Sequence, residues 1–259
     1  MFKKLGVQLY TVRDYIKDPE FADLTFAKLA EMGYTEAHTA GNDFDAKLFG
    51  ELLEKHGISI IGTHYDLQKI LNDPEETIAT HRMWNTTNIG IGGMPREARE
   101  NLEGLKNFIT NYNKAAEIYA KEGFRLTYHH HNFEFLRIDG YKTIMDILVE
   151  EFDPDNISFV ADTCWLAAGG ADVCAWLEKL KGRIDILHLK DMALKHEPGG
   201  KYLPYITEVG NGNLSFDPIM ATAEKIGVKH YIVEQDTHFV GTPFNSLKMS
   251  ADFLAKYKA

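Results

Sequence analysis

The sequence predicts a single (β/α)8 TIM barrel that spans residues 1–259. Eight short apolar segments alternate with eight amphipathic segments, and no polar linker divides the chain. This alternation favours parallel strands, because each helical crossover returns the chain to the same end of the sheet. The length is normal for one such barrel. A doubly wound open sheet is the rival architecture, but no GxGxxG motif follows the first strand.

The order of strands and helices can be justified from local residue types. Asp18-Pro19 opens the first helix and Gly33 follows its end, as is typical of helix termini. The predicted strands cover residues 6–10, 34–38, 58–64, 86–91, 124–130, 157–162, 183–189 and 228–234. The segment 197–213 contains four Gly and two Pro residues and is predicted to be the longest loop.

Composition excludes several classes of function. The formal net charge is -10 and the chain has no run of Lys and Arg, so nucleic-acid binding is not expected. Cys164 and Cys174 form no disulfide framework, which fits a reducing compartment. No segment approaches the roughly 20 apolar residues of a membrane span. We therefore predict a cytoplasmic protein with a small-molecule sugar substrate and no nucleic-acid or membrane partner, and a homo-oligomer stays open.

Polar side chains lie at the ends of several predicted strands. His64 ends the third strand, Asp162 the sixth, His188 the seventh and Glu234 the eighth, while the fifth strand runs into residues 129–134, HHHNFE. In barrels of this kind the active site lies at the carboxyl ends of the strands. We therefore expect these side chains to form one site.

Carboxylates and imidazoles that converge at one point imply a cation. Without one, the carboxylates would repel one another or take raised pKa values. Oxygen and nitrogen ligands without a thiolate suit Mn²⁺, Zn²⁺, Mg²⁺ or Co²⁺. The sequence therefore predicts one divalent metal ion as cofactor.

The chain also resembles a known family. Six segments carry the resemblance: VQLYTVRD, YHHHNFEF, FVADTCW, RIDILHLKD, EVGNGNLSFDPI and GVKHYIVEQD. They are similar to the sugar phosphate isomerase/epimerase family, the xylose isomerase-like TIM barrels that also include endonuclease IV (AP endonuclease family 2). The resemblance implies a metal held by Glu134, Asp162, His188 and Glu234. The histidine run 129–131 leaves the ligand from the fifth strand open between Glu134 and one of those histidines.

The resemblance also implies a reaction. A sugar, phosphorylated or not, would be isomerised or epimerised by proton transfer through a metal-stabilised enediolate. Glu134 and Glu234 would act on opposite faces of the substrate as catalytic residues. The substrate would be bound by His64, His131, Trp165, Lys190 and His238.

Departures from the family pattern keep other functions open. The ketose 3-epimerase branch has a His where this chain has Trp165 and an Arg where it has Leu194, and His38 replaces a Glu common on the second strand. A metal-dependent lyase or dehydratase that acts on a keto-sugar or inosose is therefore the main alternative. An endonuclease IV-like repair enzyme and a non-catalytic sugar-binding barrel are two further hypotheses.

Overall fold

The computed structural model describes residues 2–41 and 43–259, which form a closed barrel of eight parallel strands in the order β1-β10-β7-β6-β5-β4-β3-β2. The predicted fold class is confirmed, and each predicted strand is present. The barrel strands are β1 (Leu5–Gln8), β2 (Tyr34–Thr39), β3 (Ser59–His64), β4 (Asn88–Ile91), β5 (Arg125–His129), β6 (Ile157–Asp162), β7 (Ile184–Leu189) and β10 (His230–Val233).

Helices surround the barrel. They are α1 (Pro19–Glu31), α2 (Ala46–Lys55), α3 (Leu67–Asn72), α4 (Pro74–Met83), α5 (Leu102–Lys121), α6 (Ile144–Glu151), α7 (Thr163–Ala168), α8 (Val173–Lys179), α9 (Phe216–Ile226) and α10 (Pro243–Leu254). The sequence did not predict α3 and α7, because six residues are too few for an amphipathic pattern. Within the described residues, no helix is both long and apolar enough to cross a bilayer.

The prediction of a loop over residues 197–213 is wrong for the first half of this segment. Residues of this segment belong to an antiparallel hairpin outside the barrel, formed by β8 (Asp191–Glu197) and β9 (Lys201–Thr207). The turn between these strands contains Gly199 and Gly200, both with positive φ. Such residues favour a tight hairpin turn, so the Pro-Gly-Gly sequence joins two strands here.

Asp191 anchors the base of this hairpin. Its Oδ2 accepts the backbone N–H groups of Gly210 and Gly212, each at 3.0 Å. A Cβ atom at Gly212 would lie 2.2 Å from Asp191 Oδ1, so only glycine fits there. The turn that follows β9 is thus tied to the first residue of β8.

The barrel interior orients the strand ends. A small apolar cluster fills it, made of Ile61, Val160, Ile186 and Ile232. Because side chains alternate along a strand, the residues two positions after the last three also point into the barrel. These residues are Asp162, His188 and Glu234, which therefore lie at its carboxyl end.

Candidate active site

Four buried side chains from neighbouring strands meet at the carboxyl end of the barrel. They are His129, Asp162, His188 and Glu234, whose ligand-type atoms all lie within 4.8 Å of one another. His129 Nε2 lies 3.5 Å from Asp162 Oδ2, and His188 Nδ1 lies 2.9 Å from Glu234 Oε2. The strand order β5-β6-β7-β10 explains why these residues are brought together.

Lys190 lies among the carboxylates of this group. Its Nζ is 3.2 Å from Asp162 Oδ2, 2.8 Å from Glu234 Oε2 and 3.1 Å from Asp236 Oδ2. Burial opposes the charge of Lys190, but the three carboxylates outweigh burial and raise its pKa above the usual range. Three carboxylates thus face one ammonium group, and a divalent cation would balance their formal charge.

The protonation states of the group suit metal binding. Burial alone would raise the pKa of Glu234, but the attraction of Lys190 and His188 outweighs burial and lowers this pKa well below its usual range. Burial and the neighbouring His188 lower the pKa of His129. An ionised carboxylate and a neutral imidazole are the forms that bind metal ions.

Two buried atoms of the group have no hydrogen-bond partner among residues 2–41 and 43–259. They are His129 Nε2 and Asp162 Oδ2, the latter near Lys190 but at an angle too poor for a hydrogen bond. An unsatisfied buried polar atom costs about 1–3 kcal/mol. A cation between them would satisfy both. The residues therefore fit a divalent metal ion, whose identity stays a prediction.

Glu134, the predicted ligand of the fifth strand, lies apart from this group. The Tyr128 hydroxyl donates to its Oε1 at 2.5 Å, and the His131 N–H donates to its Oε2 at 2.8 Å. Tyr128 packs among aromatic side chains on the face of β5 opposite to His129. The short 3-10 turn Phe133–Phe135 carries Glu134 to the Tyr128 side. Of the alternatives from the fifth strand, His129 and not Glu134 lies beside Asp162, His188 and Glu234, and the identity of the ligand stays a prediction.

Burial also sets the charge of Glu134. It raises the pKa of this carboxyl to about 7, although hydrogen bonds from Tyr128 and His131 act in the opposite direction. Glu134 thus differs from Glu234, whose carboxylate is held ionised by Lys190. The two predicted catalytic glutamates have different surroundings, and only Glu234 lines the cavity described next.

A cavity of about 400 Å³ lies beside this group and is lined by two of its members, His129 and Glu234. One side is a carboxylate wall of Lys190, Glu234 and Asp236, and the other side is an imidazole wall of His64, His129 and His131. Burial lowers the pKa of His64 to about 3 and that of His131 to about 4. The imidazole wall is therefore neutral at neutral pH, whereas the carboxylate wall is charged.

The predicted substrate-binding residues differ in where they lie relative to the cavity. His64, His131 and Lys190 line the cavity, as expected for such residues. Trp165 packs behind them, with Lys190 Nζ 4.9 Å from its ring centre. His238 is exposed and lies against the hairpin, with its Nε2 3.4 Å from Lys195 Nζ. Its proposed closure over the site stays a prediction.

Three polar residues near the site were not predicted as part of it. Gln8 is the last residue of β1 and His38 is the last but one of β2, and His38 Nδ1 lies 3.0 Å from His188 Nε2. Asp236 follows Glu234 by two residues and contacts Lys190. The strand-end rule and the alternation of side chains would have identified all three.

The chain is similar to several known proteins. The family model for the xylose isomerase-like TIM barrel matches residues 26–257. A curated relative, the inosose dehydratase of Geobacillus thermodenitrificans, is 29% identical over 151 residues, which cover 52% of this chain and 49% of that protein. The chain is thus matched over about half the length of this relative. The inosose dehydratase of Geobacillus kaustophilus is 26% identical over an alignment that covers 90% of this chain and 86% of that protein.

A solved structure has the same fold. The sugar phosphate isomerase/epimerase of Parabacteroides distasonis is 23% identical, with a TM-score of 0.80 and coverage of 98% of both chains. The resemblance found in the sequence is confirmed by the family model. The chain belongs to the xylose isomerase-like TIM barrel family.

Proposed function

We propose that this enzyme is a divalent-metal-dependent dehydratase that removes water from a small polyhydroxylated ketone, such as an inosose or a keto-sugar. The observation that carries the proposal is the position of Glu134 behind β5, away from the cavity. Carboxylates that can transfer protons then line only one side of the cavity. The relatives named inosose dehydratase support the same reaction class.

The cation would be held by His129, Asp162, His188 and Glu234. When bound, it supplies Lewis acidity that stabilises negative charge on the carbonyl oxygen of the substrate. Lys190 lies among the same carboxylates as a charged ammonium group. It would donate a hydrogen bond to the same oxygen as the charge develops.

Proton transfer is assigned to Glu234. Its Oε2 contacts His188 and Lys190, which leaves Oε1 to accept the proton from the carbon beside the carbonyl group. The carbon–oxygen bond of the neighbouring hydroxyl then breaks as the carbon–carbon double bond forms. Glu234 returns the proton to the departing oxygen, which leaves as water.

The imidazole wall would orient the hydroxyl groups of the substrate that do not react. His131 Nδ1 is buried and has no hydrogen-bond partner within the described part of the chain. Because its pKa is lowered to about 4, His131 is a poor proton donor at neutral pH. Epimerisation would require a proton to be returned on this face, so the one-sided arrangement favours elimination.

A sugar isomerase is the second candidate. Transfer of a proton between neighbouring carbons also needs a base on one side only, and Glu234 with Asp236 provides it. The likeness to the Parabacteroides distasonis protein agrees with this candidate at the level of the fold. An isomerase would form the same enolate as the dehydratase, and the two reactions would differ only in their products.

Product analysis in D₂O tests the proposal. The enzyme is incubated with Mn²⁺ and a panel of an inosose, open-chain ketoses and keto-sugars, with a chelated sample as control. We expect a metal-dependent product that is lighter by one water molecule. Deuterium uptake at carbon without loss of water would identify an isomerase instead. Absence of both across the panel would contradict the proposed enolisation.

A further inference from the structure

A second cavity adjoins the cavity of the candidate active site. Its volume is about 490 Å³, and it shares the lining residues Gly92 and His131 with the first cavity. Gly93 lines it as well. Because two consecutive glycines lie at this boundary, neither residue 92 nor residue 93 has a side chain that could divide the space. A molecule bound in the first cavity can therefore extend past His131 into the second.

Arg99 lines the second cavity, where it is the one Lys or Arg among the described lining residues. The chain has seven arginines. The other six donate hydrogen bonds: Arg13, Arg82, Arg96, Arg125, Arg137 and Arg183. Within residues 2–41 and 43–259, Arg99 forms neither a hydrogen bond nor an ion pair. Its five N–H donors are thus left to water or to a ligand.

An aromatic stack holds the guanidinium of Arg99 near the first cavity. Its Cζ lies over the ring of Phe133, 4.3 Å from the ring centre. The Phe133 ring stacks in turn on the His131 ring, with 5.3 Å between the ring centres and 12° between the planes. A cation–π contact orders a guanidinium without use of its planar fork of donors. Arg99 is therefore one ring away from His131 and keeps this fork for a planar anion.

The charges around Arg99 favour a carboxylate over a phosphate group. Two parallel N–H···O bonds from a guanidinium fit the two oxygens of a carboxylate, and the single charges cancel. Asp66 lines the same cavity, and its Oδ1 accepts the N–H of Lys69 at 2.9 Å as the cap of α3. A phosphate group carries about -1.5 to -2 charges at neutral pH. It would therefore leave an unbalanced negative charge in a cavity that already contains Asp66.

We propose that Arg99 is a specificity-determining residue that binds a carboxylate group of the substrate, which makes the substrate a polyhydroxylated keto acid. The reacting ketone lies in the first cavity beside Lys190 and Glu234, and the carboxylate reaches past His131 to the guanidinium. The inference rests on the proposed function, because that function places the ketone beside Lys190. It adds an anionic group that the reaction itself does not require.

Three ketoses that differ only at C6 test the inference. D-fructose has a hydroxymethyl group there, D-fructuronate a carboxylate and D-fructose 6-phosphate a phosphate ester. Calorimetric titration of the natural protein in the presence of Mn²⁺ gives the three dissociation constants. Because hydrogen bonds to charged groups are strong, we expect D-fructuronate to bind about 10- to 100-fold more tightly than D-fructose. Equal binding of the two, or no binding of D-fructuronate, would overturn the inference.

Variants of Arg99 connect this preference to one side chain. Arg99→Met removes the guanidinium and keeps an apolar contact with Phe133, so the preference for D-fructuronate over D-fructose should fall about 10- to 100-fold. Arg99→Lys keeps the charge without the planar fork and should show an intermediate preference. Arg96→Met is the matched control, because Arg96 lies in the same 3-10 turn and pairs with Glu100 at 3.0 Å. It should keep the natural preference.

The outcomes separate Arg99 from other sources of the preference. A loss in Arg96→Met equal to that in Arg99→Met would show that only the net charge matters and would overturn the inference. Since Arg99 is exposed, both of its variants should fold, and Arg99→Lys decides should Arg99→Met not do so. Tighter, Arg99-dependent binding of D-fructose 6-phosphate would overturn the choice of a carboxylate.

Turnover distinguishes failure of this inference from failure of the proposed function. The natural enzyme with Mn²⁺ is assayed for water loss and deuterium uptake on these ketoses and on the panel named above. If it reacts with none of them, the proposed function fails. If it reacts and shows no Arg99-dependent preference for D-fructuronate, this inference alone fails.

Discussion

The barrel contains two Glu–His pairs that share strand β10 and differ in what surrounds them. At its amino end, His230 Nδ1 lies 3.0 Å from Glu36 Oε2. At its carboxyl end, Glu234 Oε2 lies 2.9 Å from His188 Nδ1. The His230 side chain is 23% exposed, whereas that of His188 is fully buried. Similar contacts thus occur at both ends of one strand.

Only the pair at the carboxyl end has further ligands beside it. His129 and Asp162 complete its group, while among the described residues no third ligand-type side chain joins Glu36 and His230. Ile232 lies between the two pairs on the inward face of β10, and four residues along a strand span about 13 Å. We infer that convergence with other donors, and not the pairing itself, distinguishes a site from a structural contact.

Glu234→Gln should have the largest effect. The amide cannot accept the substrate proton and is a poorer metal ligand. General acid–base catalysis contributes about 10²- to 10⁴-fold, so kcat should fall by that range. Deuterium exchange at the substrate carbon in the presence of Mn²⁺ measures it. Exchange at the natural rate would show that Glu234 does not transfer the proton. The two Glu–His pairs would then not differ in catalytic role.

Glu134 is a third buried glutamate. Its side chain contacts the Tyr128 hydroxyl and the His131 N–H and, among the described residues, no histidine ring or lysine. Its pKa is raised from 4.5 to about 7 in the folded state. The protonated form is thus favoured by folding, and this stability is lost as pH rises from 4.5 through 7. One pKa unit corresponds to about 1.4 kcal/mol, so the loss is up to about 3 kcal/mol.

The variant Glu134→Gln removes this titration. Gln can keep both contacts, with its oxygen toward the His131 N–H and its amide toward the Tyr128 hydroxyl. We expect the variant to gain stability relative to the natural chain between pH 5 and pH 8. Denaturant unfolding of both metal-free proteins at the two pH values measures the difference. Equal pH dependence would mean that Glu134 is already ionised in the fold.

Asp162→Asn tests the role of the additional ligands. Loss of the Oδ2 carboxylate oxygen removes one donor and part of the negative charge that faces Lys190. Mutation of a residue that only orients a metal ligand lowers metal affinity by about 10- to 100-fold. Loss of a ligand itself should therefore weaken Mn²⁺ binding by at least about 100-fold.

Asp172→Asn is the matched control, because both aspartates cap short helices. Asp162 Oδ1 accepts the N–H of Trp165, and Asp172 Oδ1 accepts that of Ala175. Asn is an equally good helix cap, so neither variant should lose its helix. Comparable Mn²⁺ binding by the two variants would show that Asp162 is only a cap.

The sequence was sufficient for the barrel and for most of the group of ligands. Glycines and prolines mark the helix ends, and alternation places Asp162, His188 and Glu234 on the inward face. These are local rules that do not depend on distant contacts. The hairpin β8–β9 was missed because its strands are partly exposed and lack the apolar runs of barrel strands.

The position of the Glu134 side chain could not be predicted from these local rules. Three consecutive histidines follow Tyr128, so several residues offer metal-ligand chemistry within one turn of chain. Only the structure shows that the 3-10 turn Phe133–Phe135 directs Glu134 toward the hydroxyl of Tyr128. The alternation that separates Tyr128 from His129 does predict which histidine faces inward.

The smallest effect is expected for Glu36→Gln, the counterpart of the Glu234 variant. The amide oxygen can still accept the His230 N–H, so the stability cost should be about 1 kcal/mol or less. Because Ile232 separates this pair from the cavity, kcat and Mn²⁺ affinity should stay within about twofold of the natural values. Thermal unfolding, deuterium exchange and Mn²⁺ titration check these points. A loss of Mn²⁺ affinity in Glu36→Gln comparable to that in Asp162→Asn would mean that the two ends of β10 are coupled and that convergence of ligands does not explain the site.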